Sequence, residues 1–222
     1  MRKSAIFLLF VAFCLTILGL SAQGGIAVPP QTARPKTEAE GKQKPEDSKQ
    51  RPVAKSKVYL LHSDLLRKDA THPDAQIVTG NVRFRHDSVY MYCDSACYYD
   101  KVSSFEAFGN VKMVQGDTLF LYGDRLYYDG LTQIAEMRCN VRMENRTTTL
   151  LTDSLNYDRV YNLGYFFDGG TLLDEQNVLT SEWGEYSPQT KQSVFNYNVK
   201  LVNPQFTLTS DTLRYNTASK VA

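Results

Sequence analysis

An acidic residue followed four positions later by tyrosine recurs through this chain at intervals of 29 or 30 residues, and that period limits the fold more than any other feature. Asp94 precedes Tyr98, Asp124 precedes Tyr128, Asp153 precedes Tyr157, Glu182 precedes Tyr186 and Asp211 precedes Tyr215, while Asp64 opens the series without its tyrosine. A self-similar period of this length marks stacked supersecondary units, none able to bury its apolar face alone. Function is then expected on a long shared surface, not in one pocket.

A second marker keeps the same register. Gly80-Asn81-Val82-Arg83-Phe84, Gly109-Asn110-Val111-Lys112-Met113 and Cys139-Asn140-Val141-Arg142-Met143 are close variants, followed in step by Gly169-Gly170-Thr171-Leu172-Leu173 and Tyr197-Asn198-Val199-Lys200-Leu201. Apolar residues alternate with basic or polar ones, the period of a strand with one buried face. Gly-Asn suits a turn or bulge with positive φ. Around the acidic residue the alternation changes phase. Apolar residues lie five and three positions before it (Val89 and Met91, Leu119 and Leu121, Phe206 and Leu208, Tyr59 and Leu61). They lie two and four positions after it (Leu126 and Tyr128, Leu155 and Tyr157, Leu213 and Tyr215). One regular strand cannot put both sets on one face. The chain is therefore expected to turn a corner at each acidic residue, preceded each time by a permissive residue (Ser63, Cys93, Gly123, Thr152, Ser181, Ser210). The carboxylate is expected to accept backbone N–H groups that the ladder leaves free there.

Tyr 14 and Phe 11, with abundant Val, Thr and Leu, favour strands, and no sustained helical stripe appears beyond the N-terminus. Short, evenly spaced strands fit an all-β sandwich, barrel or open solenoid. Residues 1–22 read as a cleavable export signal: Arg2 and Lys3 precede an apolar run from Ala5 to Leu20, with Ser21-Ala22-Gln23 as the cleavage site. An uncleaved signal would be a membrane anchor, although the run is short for a span of about 20 residues. Phe13 argues against lipid attachment at Cys14. Residues 23–56, rich in Pro, Lys, Glu and Gln, read as a disordered linker, and 57–222 as the repeat domain.

The chemistry-bearing residues point away from catalysis. Cys93 and Cys97 would lie ~13 Å apart along a strand at ~3.3 Å per residue; with no second CxxC or histidine pair they fit small buried hydrophobes or one structural bridge, not zinc. His62, His72 and His86 stand outside any nucleophile motif. Asp124 with Asp129, or Asp153 with Asp158, could be drawn as glycosidase pairs, but they recur from unit to unit as structural residues do. No phosphate loop is present, and a formal charge of +1 offers no basic surplus for nucleic acid. Asn145-Arg146-Thr147 matches a glycosylation acceptor only in a eukaryotic secretory pathway. Asp-Ser/Thr-apolar triplets such as Asp153-Ser154-Leu155 follow from the repeat's own consensus. No cofactor, metal or enzymatic activity is expected.

A Gly-Asn-Val strand, then Asp-x-Leu-x-Tyr, repeated behind an export signal, resembles the OstA-like (organic solvent tolerance protein A) family of periplasmic lipopolysaccharide-transport proteins, in the version of Bacteroides-type bacteria. The resemblance covers residues 57–222; Gly109-Asn110-Val111 with Asp124-Arg125-Leu126-Tyr127-Tyr128 carries it best, and Gly184 in place of leucine departs from it. It implies a repetitive antiparallel β-taco, or open β-jelly roll, holding lipid A acyl chains in an apolar trough on the way to the outer membrane. One wall would comprise Tyr98, Leu126, Tyr128, Leu155, Tyr157, Leu213 and Tyr215, and the other Val82, Phe84, Val111, Met113, Val141 and Met143. The same residues also describe a closed core. The implied partners are lipopolysaccharide and other β-taco transport proteins of the inner and outer membranes, joined by edge-strand addition, with head-to-tail self-association as a further expectation. The alternative function is a structural or adhesive surface repeat without lipid cargo. The last unit ends at Ala222, six residues past Tyr215-Asn216, which leaves room for a longer natural protein.

Overall fold

A computed structural model describes residues 56–69 and 72–222. The expected signal and most of the expected linker lie outside the described residues. Apart from one 3-10 turn at Asp100–Val102, the ordered elements are antiparallel strands: β1 (Tyr59–His62), β2 (Leu65–Asp69), β3 (His72–His86), β4 (Val89–Tyr99), β5 (Ser104–Gln115), β6 (Leu119–Asp129), β7 (Ile134–Asn145), β8 (Thr148–Asp158), β9 (Leu163–Phe166), β10 (Gly170–Asp174), β11 (Asn177–Ser181), β12 (Trp183–Tyr186), β13 (Gln192–Asn203) and β14 (Phe206–Asn216). β3 to β8 pair in chain order within one 14-stranded sheet. β1 and β2 pair with different stretches of β3, β10 and β11 extend one half of the sheet, β9 and β12 extend the other, and β13 and β14 close the series. The fold is all-β and antiparallel, as the resemblance implies.

The phase change is visible in the burial of β6. Leu119, Leu121 and Gly123 are buried, Asp124 and Arg125 are both exposed, and Leu126 and Tyr128 are buried again. Register slips at the same place: Phe108 pairs with Arg125 and Val111 with Gly123, so Gly109-Asn110 opposes Asp124 alone. Both bulge residues take left-handed conformations, at φ 73° and 45°. The bulges fold the sheet along a ridge into two facing walls.

The carboxylates at the ridge behave differently from the sequence expectation. They mostly take the asparagine side chain of the next strand, not free backbone N–H groups. Asn81 donates to Asp64 at 2.9 Å, Asn110 to Asp94 at 2.8 Å and Asn140 to Asp124 at 2.5 Å, and Asn198 reaches Glu182 in the same way. Asp153 alone accepts a backbone N–H, from Asn140 at 3.1 Å. The marker that follows Asp153 is Gly169-Gly170, which has no amide side chain to offer. The close fit also dictates glycine: a Cβ on Gly80 would come 2.2 Å from Asp64 Oδ2.

Gly184, where the motif departs from the family pattern, has a packing explanation. Its neighbours across the ladder are Phe166 and Phe195, and a Cβ there would lie 2.6 Å from Phe166 Cζ. The phenylalanine ring occupies the volume that leucine fills in other units. Restoring the consensus with Gly184→Leu is expected to cost about 1–3 kcal/mol by overpacking. Adding Phe166→Ala should recover part of that loss, and a double-mutant cycle by denaturant melts would measure the coupling. A neutral Gly184→Leu would refute the explanation.

Candidate functional site

Two ladders of side chains line the space between the walls. On the first wall cross-strand pairing runs without a break through Leu60, Phe84, Met91, Met113, Leu121 and Met143, and continues through Leu150, Leu172, Leu179, Leu201 and Leu208. On the second, the motif tyrosines occupy alternate strands: Tyr128, Tyr157, Tyr186 and Tyr215 are separated by Ala135, Gly164 and Ser193. Large rings beside small residues interdigitate at interior density. The whole candidate set (Val82, Phe84, Tyr98, Val111, Met113, Leu126, Tyr128, Val141, Met143, Leu155, Tyr157, Leu213, Tyr215) falls within this single apolar cluster, none more than 8% exposed. Phe84 stacks on Phe105 at 4.2 Å between centroids, and Phe105 in turn packs against Tyr128. In this structure the interior is packed shut.

The walls are joined along the ridge by backbone, but along the opposite margin by side chains. His86 Nδ1 lies 2.7 Å from the Tyr128 hydroxyl, which also takes a hydrogen bond from Arg159. Gln115 donates to Asn162 at 2.8 Å, and the Tyr157 hydroxyl donates to the same Asn162 oxygen at 3.2 Å. Asn145 donates to the Pro188 carbonyl at 3.1 Å and accepts from Lys191 at 3.1 Å. Asp174 accepts from Tyr215 at 2.7 Å and from Lys220 at 2.6 Å. Near the first strands, the Tyr98 hydroxyl donates to the Val58 carbonyl at 2.7 Å. Tyr98, Tyr128, Tyr157 and Tyr215 thus have two roles: the ring packs the second wall and the hydroxyl helps to clasp the margin. Gln115 Oε1 and Arg159 Nε are buried here with no hydrogen-bond partner among the described residues. Closure at the margin is therefore incompletely satisfied.

Sequence reasoning missed the clasp residues on the first wall. His86, Gln115, Asn145 and Asp174 each end a strand and follow one another at 29, 30 and 29 residues. They form a third polar marker in phase with the other two. Its signal was a polar residue at a position whose alternation calls for an inward, apolar one. Of the two readings of the cysteines, small buried hydrophobe or structural bridge, the first holds for Cys93: Cys93, Cys97 and Cys139 are all free, and burial pushes the Cys93 thiol up to about 12.

Burial also sets the electrostatics of the clasps. It pushes the Tyr128 hydroxyl up to about 12 against the lowering influence of Arg159. His86 is fully buried, and its affinity for a proton is lowered first by burial and then by Arg159, with Asp87 and the Ser56 carbonyl acting in the opposite sense. A base held below its unfolded value contributes stability in its neutral form. That stability is intact above pH ~6.5 and is lost as the pH falls, because the unfolded chain takes up the proton first. The melting midpoint should therefore drop between pH 7 and 5, by at most about 1.4 kcal/mol of stability per pH unit for this group. His86→Gln should flatten the profile. An unchanged slope would show that His86 does not limit the margin.

Residues 55–211 match the OstA-like protein family. No curated protein matches the chain. Among solved structures, the crystal structure of LptH, described as the LptA homologous periplasmic component of the conserved lipopolysaccharide transport device from Pseudomonas aeruginosa, is similar at a TM-score of 0.48 and 16% identity, over 53% of this chain and 98% of that one. The family match alone spans most of the sequence, from before the first described strand into the last, and this protein belongs to the OstA-like protein family.

Proposed function

We propose that this protein is a periplasmic carrier in lipopolysaccharide transport and that its interior receives the acyl chains of lipid A. The observation that carries the reading is the contrast between the two margins of the walls. The ridge is held by continuous backbone ladders, whereas the opposite margin is held by side-chain clasps, some buried groups of which lack partners. Parting the clasps would expose a continuous apolar strip without breaking a backbone ladder. The lining residues are the candidate set from Val82 to Tyr215, with Met91, Phe105, Leu121 and Met137 beside them.

The ends of the stack support edge-to-edge assembly. Tyr59, Leu61, Leu65 and Leu66 of the first strands are about half exposed, as is Phe206 of the last strand. A repeat array ordinarily caps its ends with polar units. Edges that no described residue caps suit strand addition from another copy or from a protein of the same fold, which would extend the interior continuously. The second reading, a structural repeat without cargo, draws on the tight packing of the interior. One experiment separates the two. A photoreactive phenylalanine analogue at Tyr128 or Tyr157 should capture lipopolysaccharide, the same probe at outward Arg125 or Asn156 should not, and a probe at Phe206 should capture a second protein. Equal lipid capture on both faces, or none at Tyr128 and Tyr157, would favour the structural reading.

A further inference from the structure

We propose that the outer face of the first wall is a binding surface for an acidic glycan, on the opposite side of the sheet from the interior and independent of the lipid reading. Cross-strand pairing places Arg83, Tyr92, Lys112, Tyr122 and Arg142 in one row over five adjacent strands, β3 to β7. Base and aromatic alternate strictly. Strands lie ~4.8 Å apart, so the cations recur every ~10 Å with an aromatic ring between them. A second row beside it adds Arg85, Tyr90 and Phe120.

Rings hold three of the cations, and one of the three also meets a carboxylate. Arg142 lies 4.4 Å from the Tyr122 centroid, Lys112 stands 5.6 Å from Tyr122 and 5.5 Å from Phe120, and Arg85 is 5.9 Å from Tyr59. Arg142 alone of these bases has an ion pair among the described residues, with Glu144 at 3.1 Å. The outer face of the second wall differs: there Arg138 pairs with Glu136 at 3.0 Å, and Glu106 and Glu136 share the surface with Arg125 and Arg138. The two outer faces therefore differ in net charge although the chain as a whole is nearly neutral.

A cleft of about 840 Å³ adjoins the row at the ridge, with Lys112, Tyr122 and Arg142 on one side and Asn140, Asp124 and Asp153 on the other. This combination selects a ligand class. The exposed rings of Tyr90 and Tyr92 offer flat apolar faces to sugar rings, the ridge amide and carboxylates offer partners for hydroxyl groups, and the evenly spaced cations require acidic substituents at a regular interval. An extended polysaccharide with one acidic group per disaccharide has that linear periodicity; a folded protein partner does not need it.

Isothermal titration at low salt tests the site, using a ten-sugar oligomer of alternating glucuronate and N-acetylglucosamine, which carries one carboxylate per disaccharide, as probe and a neutral ten-unit glucan as control. The acidic oligomer should bind, the neutral one at least about tenfold more weakly, and added salt should weaken the acidic complex. The pair Lys112→Glu/Arg142→Glu, at one half-buried and one exposed position, should reduce affinity by about tenfold or more, while Arg125→Glu/Arg138→Glu on the other face should leave it unchanged. A far-UV spectrum and melt would verify folding, and Lys112→Gln/Arg142→Gln serves in place of the reversal pair if that pair does not fold. Absence of binding by the acidic oligomer, undiminished binding by the first pair, or an equal loss from the second pair would each overturn the proposal. The last of these would reduce it to general charge attraction.

Discussion

Leu155→Arg is expected to abolish cooperative folding. Leu155 is fully buried on β8, opposite Met137 and beside Gly164, where an added Cβ would already lie 3.3 Å from Leu155 Cδ1. A guanidinium there has no space, and its cross-strand neighbour Met137 offers it no charge partner. An unpaired buried charge costs several kcal/mol after relaxation, against a total stability of about 5–15 kcal/mol for a domain. Leu155→Ala, by contrast, should fold with a loss of about 2–5 kcal/mol from the cavity it leaves. Far-UV circular dichroism and urea melts of the two variants would show the difference. A folded Leu155→Arg with a cooperative transition would mean that the interior admits water, and would convert the packed core described above into an open trough.

That distinction was invisible in the sequence for a physical reason. Alternation reports which face of a strand turns inward, and it reported the change of face between Leu121 and Leu126 correctly because backbone geometry allows no other solution. It carries no information on whether the opposing wall is in contact. The ridge chemistry was half legible. The acidic residue and the bulge were evident, but the partner was not, although each asparagine donor lies 16 or 17 residues after its carboxylate and the absence of one after Asp153 was there to be seen. The clasps were hardest to read. Tyr128 and His86, Tyr157 and Gln115, and Tyr215 and Asp174 are separated by 42, 42 and 41 residues, so the spacing is regular while the chemistry changes from histidine to amide to carboxylate. A repeat search that looks for identical residues passes over positions that conserve only polarity. The tyrosine was conspicuous because its ring is needed for packing in every unit after the first, whereas any acceptor or donor of suitable reach can meet its hydroxyl.

Asp174→Ala should then be the most damaging change at the margin, because this clasp is centred on a fully buried carboxylate. Asp174 is fully buried, and its two oxygens accept from the Tyr215 hydroxyl, from Lys220 and, at 3.4 Å, from Thr148. Burial depresses the Lys220 ammonium, but Asp174 and then Glu175 more than compensate, and the net shift is upward. Removing the carboxylate strands the Tyr215 hydroxyl, which keeps only the donor Asn177 at 2.9 Å. Lys220 retains Glu175 at 3.3 Å and is partly solvated, so the penalty falls below that of a fully buried pair. A loss of about 2–4 kcal/mol is expected. Tyr215→Phe should cost about 1–2 kcal/mol, and the double variant less than the sum, with a coupling near 1 kcal/mol. The exposed ridge carboxylate Asp211 belongs to the same strand but supports no such buried network, and Asp211→Ala should stay within about 0.5 kcal/mol. If Asp174→Ala proved no worse than Asp211→Ala in urea melts, the margin would be held by apolar contact alone and the clasps would be its consequence.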